Sequence, residues 1–77
     1  MPGKLPRITA KQAIRAIEAA GFVHVRTTGS HQHFKHPDRP GLVTIPAHVG
    51  EILYPALLRS ILRQAGLSVD EFRELLK

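Results

Sequence analysis

The stretch "FVHVRTTGSHQHFKHPDRPGLVTIP", Phe22 to Pro46, decides the fold. "FVHVRT" (22–27) alternates apolar and polar residues and is rich in β-branched ones, which predicts a strand. "TGS" (28–30) is turn chemistry, and "HQHFKH" (31–36) alternates again to predict a second strand. "PDRPG" (37–41) is loop chemistry, with two prolines of fixed φ and a glycine. "LVTI" (42–45) predicts a third short strand, stopped by Pro46. Connections this short permit only antiparallel pairing between successive strands.

Helices flank this meander. In "ITAKQAIRAIEAAGF" (8–22), Thr9 and Gln12 have the spacing of a capping box, and Ala13, Ile14 and Ile17 recur at helical spacing. Gly21 fits the left-handed residue just past the helix end. Phe22 breaks the strand alternation and is expected to fold back on that end. Beyond the irregular "PAHVGEILY", Pro55 suits a first helical turn, where its missing N–H is no loss. "PALLRSILRQAG" (55–66) then places Leu57, Leu58, Ile61, Leu62 and Ala65 on one face, with Gly66 as terminator. "LSVDEFRELLK" (67–77) predicts a short last helix, with Ser68 and Glu71 as a second box and Phe72, Leu75 and Leu76 inward. The expected architecture is α+β: one helix, a three-stranded antiparallel sheet, a second helix and a short third, with the helices on one face.

At 77 residues the chain is expected to form one domain, residues 1–77, with a thin core. Cysteine is absent, which removes disulfides and thiolate zinc sites and fits the cytoplasm. No apolar run approaches the roughly 20 residues of a membrane helix. Lys4, Arg7, Lys11 and Arg15 with no apolar h-region do not make a signal peptide, so a cytoplasmic protein is expected. Net charge is +5, and residues 1–50 hold only Glu18 and Asp38 against seven Lys or Arg. Basic charge concentrated in the body of a small domain points to a polyanionic partner, most often nucleic acid.

Strand alternation then sorts the faces. Val23, Val25, Phe34, Val43 and Ile45 are expected under the helices. The outward set is His24, Arg26, His31, His33, Lys35 and Thr44. This face carries two fixed cations and three imidazoles but no carboxylate, which suits a phosphate backbone. A solvated strand face collects similar residues, but the absence of any acid favours binding or catalysis. A metal site is the weaker expectation. His31 and His33 with His24 or His48 could ligate zinc, but no carboxylate is available to orient the rings. Arg26, Lys35, Arg39 and Arg59 would also repel a dication.

"GSHQHF" after the turn, then "VTIPAH", then "LRSILRQAGLS", in this order and spacing, resemble the HicA (YcfA-type) mRNA interferase toxins from about Ile8 to the C-terminus. The resemblance implies a fold like the double-stranded RNA-binding domain, α-β-β-β-α. It implies a type II toxin that cleaves mRNA, halts translation and is blocked by a HicB antitoxin. The family's functional histidine, in Gly-Ser-His, maps onto His31, with Gly29 and Ser30 as its neighbours. The histidine after Ile-Pro maps onto His48. No cofactor is implied.

The chemistry fits. RNA carries its own nucleophile, the 2′-OH, and an imidazole can take or give a proton near neutral pH. Nearby cations can stabilise charge developing on phosphoryl oxygens. His31 is therefore the expected catalytic residue, and Arg26, Ser30, His33, Lys35 and His48 the expected RNA contacts. Arg59 and Arg63, four apart on the second helix, read as a solvated face, and Gly50–Tyr54 as a connector whose tyrosine could stack on a base. The rival is a non-catalytic double-stranded RNA-binding module of the same fold, since fold does not fix function. Such modules use a lysine-rich helix start, whereas here the second helix begins at "ILYPALL". A purely protein-binding domain would leave the histidine cluster without a use.

Overall fold

Local chemistry fixes the helix ends. In the computed structural model, which describes residues 4–48 and 50–77, α1 spans Ala10–Ala19, α2 Pro55–Ala65 and α3 Val69–Leu75. The Thr9 hydroxyl accepts from the Gln12 N–H at 3.3 Å, and the Gln12 side chain accepts from the Thr9 N–H at 2.9 Å. Ser68 and Glu71 form the same reciprocal pair at the head of α3, at 3.0 and 2.9 Å. The Ser68 backbone N–H and hydroxyl hold the Glu71 carboxyl below the usual carboxylate range. Pro55 opens α2. Gly66 closes it at φ 71°, and a Cβ there would also meet the Arg39 guanidinium at 2.9 Å. Arg39 donates to the Ala65 carbonyl, so it serves the C-terminal end of α2 rather than the open face of the sheet.

The sheet has the expected order β1-β2-β3, both pairs antiparallel: β1 is Val23–Thr28, β2 His31–Lys35 and β3 Val43–Pro46. The hairpin between β1 and β2 has a two-residue loop, Gly29–Ser30, with Gly29 at φ 60°. That fits a turn with glycine in its first central position, whose twist suits a hairpin. The turn sets Thr28 opposite His31. β3 takes in Pro46, which lies opposite His31. Thr44, two residues before it, turns its N–H to the outer edge, where Gln64 of α2 accepts it at 2.9 Å. Proline is tolerated in that edge phase because no ladder donor is lost.

Phe34, Val43 and Ile45 are fully buried against Ile17, Leu58, Ile61 and Phe72. Each such burial is worth about 1.5–3 kcal/mol. Phe22 is buried too, its N–H returned to the Ile17 carbonyl at the end of α1. The first strand departs from expectation. Val23 and Val25 are 59% and 50% exposed, and His24 lies opposite Phe34, its ring 5.5 Å away edge to face. A β-bulge between His24 and Arg26 is the reason. Val25 is the extra residue, so the alternation breaks there. Val23, opposite Lys35, is on the open face and His24 on the helix face, while Arg26 returns to the open face opposite His33. The helices pack against β3 rather than β1, so even the helix side of β1 stays exposed.

Candidate RNA-facing site

The open face carries three rows of side chains. Lys35 stands beside Val23, His33 between Arg26 and Thr44, and His31 between Thr28 and Pro46. Arg26, His31 and Lys35 are exposed and His33 is half-buried. His33 and the Thr44 hydroxyl share a hydrogen bond at Nδ1, 2.9 Å long, which fixes the ring. At about 3.3 Å per residue, Lys35 is roughly 13 Å along the strand from His31, and the Arg26–His33 row about halfway. These groups therefore mark a track along the sheet rather than a cluster round one atom.

His31 begins β2 directly after the turn, at the end of that track. Beside it the chain reverses after Pro46: the Ala47 N–H donates to the Ser30 carbonyl at 2.7 Å. This return brings His48 to the turn, with Nε2 3.5 Å from the Ser30 hydroxyl. Further on, the Leu53 N–H donates to the Ile8 carbonyl at 2.8 Å, and Thr9 pairs with Ile52, tying the segment to the head of α1. The result is a surface hollow of about 400 Å³ lined by His31, Pro46, His48, Glu51, Ile52, Leu53, Tyr54 and Leu57. A larger hollow, about 620 Å³, lies between α1 and the sheet, with Lys11, Arg15, Gln32 and His48 on its wall. His48 borders both hollows.

Of the residues expected to touch RNA, the structure gathers His31, Ser30 and His48 at one end of the sheet. It sets Arg26, His33 and Lys35 along the open face. Two other histidines have structural partners. His24 Nε2 lies 2.7 Å from the Thr27 hydroxyl, besides its contact with Phe34. His36 packs edge-on against Phe22 at 5.1 Å and accepts the Asp38 N–H at 3.0 Å. Sequence reasoning missed Glu51, a carboxylate on the same hollow as His31. Only the chain reversal and the Thr9–Ile52 bridge bring it there, and neither has a local sequence signal. Among the described residues no group of three or more His, Asp or Glu is placed to hold a metal ion, and no helix is long and apolar enough to cross a membrane.

No curated protein matches the chain. A family model does, described as "HicA toxin of bacterial toxin-antitoxin", over residues 10–67 of the 77. That span runs from the first residue of α1 to just beyond α2, and includes the whole sheet and both walls of the hollow beside His31. The chain thus belongs to the HicA toxins of bacterial toxin–antitoxin systems.

Proposed function

We propose that this toxin is a metal-independent endoribonuclease that cleaves mRNA, with His31 as a general acid–base group. The observation that carries the reading is the position of His31, exposed at the head of β2 on a face where Arg26, His33 and Lys35 stand in line behind it. RNA lying along that face meets cations first and an accessible imidazole at its end. His31 takes the proton of the 2′-OH as that oxygen bonds to phosphorus. The bond from phosphorus to the 5′-oxygen breaks, and that oxygen must gain a proton. His48, on the same hollow, is the second imidazole available for the complementary transfer. The products are a 2′,3′-cyclic phosphate and a 5′-hydroxyl.

A single acid–base group contributes about 10²–10⁴-fold to rate. His31→Ala is expected to lose that much cleavage, and with it growth arrest, while its melting temperature stays that of the parent. His33→Ala, whose ring is already held by Thr44, is expected to weaken RNA binding modestly. Both variants and the parent are assayed on one RNA with and without a strong chelator. A dead His33→Ala beside a normal His31→Ala removes the assignment. Cleavage lost to the chelator and restored by zinc makes the histidines ligands instead.

The antitoxin follows from the same face. A HicB-like protein that presents acidic groups to Arg26, Lys35 and His31 would speed encounter and exclude RNA together. Its binding is expected to weaken as salt rises, with His31 protected from solvent in the complex. A complex that still cleaves RNA with His31 open would rule out direct occlusion.

A further inference from the structure

We propose that the hollow beside His31 is a nucleobase subsite selective for guanine, read by Glu51 and Tyr54. The inference rests on the reading of His31 as the group at the scissile phosphate. A base seated in a hollow that His31 itself lines belongs to a nucleotide next to that phosphate.

Three observations carry it. The volume, about 400 Å³, falls within the range of small-ligand sites and admits one base with room for its sugar. The aromatic residues divide sharply: Phe22, Phe34 and Phe72 are buried, and Tyr54 is 62% exposed on the rim of this hollow. An aromatic ring left in water beside apolar neighbours, here Ile52 and Leu57 on the same hollow, is a surface on which an unstacked base can lie. Glu51 supplies the third. In a domain of net charge +5, Glu51 lines the same hollow as His31, and a carboxylate there would repel a phosphate backbone. Among the described residues the Glu51 carboxylate has no hydrogen-bond or salt-bridge partner.

An ionised carboxylate is a pure acceptor with two oxygens. Guanine presents two adjacent donors on its Watson–Crick edge, N1–H and the N2 amino group, which match both oxygens. Adenine and cytosine each offer one amino group next to a ring-nitrogen acceptor, which the second oxygen would oppose. Uracil offers one N–H between two carbonyls. The carboxylate that is a liability toward phosphate is therefore selective toward one base.

The test measures binding, so it does not depend on cleavage. The intact chain is titrated with 3′-GMP, 3′-AMP, 3′-CMP and 3′-UMP while the Tyr54 and His31 ring signals are followed by NMR. GMP is expected to shift both rings and to bind roughly 10-fold tighter than the others, within the discrimination of a bidentate pair. Glu51→Gln, which exchanges one acceptor for a donor, is expected to bring GMP and AMP to similar affinity. Tyr54→Ala is expected to weaken all four by a similar factor, and Tyr54→Phe to restore them. Equal binding of GMP and AMP to the parent overturns the subsite, even if the parent cleaves RNA and His31→Ala does not. Guanine preference that survives Glu51→Gln overturns the role of Glu51. Loss of RNA cleavage in Glu51→Gln with unchanged nucleotide preference overturns it too, and moves Glu51 to proton transfer. Guanine-selective binding at Tyr54 in a chain that cuts no RNA supports the subsite and removes the ribonuclease reading alone.

Discussion

The two edges of the sheet are built from similar residues and have opposite fates. β1 and β3 both carry β-branched apolar residues at alternate positions, "VHV" and "VTI". Val43 and Ile45 of β3 are buried, because α1 and α2 pack against that strand. The edge itself is closed where Gln64 of α2 accepts the Thr44 N–H. Val23 of β1 lies on the open face opposite Lys35 and Val25 in the bulge, and both stand half in water. A pattern of apolar residues records which face is drier only where another layer exists to dry it. The bulge also has a use of its own at this open edge, since a kinked, twisted strand is a poor template for pairing with another chain.

The contrast breaks most visibly by truncation. Ile45→Ala is expected to cost about 2–5 kcal/mol, as for other buried isoleucines, read as a fall in the denaturant midpoint. Val23→Ala, a truncation on the open face of β1, is expected within about 0.5 kcal/mol of the parent. Equal losses at the two sites would mean that β1 is covered in solution. A smaller effect sharpens the comparison. Gln64→Ala removes the acceptor for the Thr44 N–H, a bond open enough for water to replace it. The expected cost is about 0.5–1.5 kcal/mol, with faster amide exchange at Thr44 than in the parent. Exchange at Thr44 unchanged by the substitution would mean that Gln64 does not guard that edge.

The legible parts of this fold are those whose cause lies within a few residues. Thr9 with Gln12, Ser68 with Glu71, Pro55 and Gly66 announce helix ends because each satisfies backbone groups in its own turn. The face of β2 was legible because Phe34 is its sole large apolar residue. His31, His33 and Lys35 then had to share the other side. β1 was not legible, since nothing in "FVHVRTT" marks where an extra residue is accommodated against β2. The meeting of His31 with Glu51 was not legible either, and His48 joined the expected site only through the family resemblance. It depends on contacts from Ser30 to Ala47 and from Ile8 to Leu53, across chain separations that local pattern does not span.

The bond between Ile8 and Leu53 also bears on when the site comes into being. It closes a loop that contains α1 and the entire sheet, and loop closure over such a distance is entropically slow. A chain emerging from the ribosome has made His31 and the hairpin long before Ile52, Leu53 and Tyr54 exist to wall the hollow beside it. Phe34 and Val43 have no second helix to cover them until Leu58, Ile61 and Leu62 follow. The part-made chain therefore carries His31 without the hollow beside it until synthesis has passed Leu57.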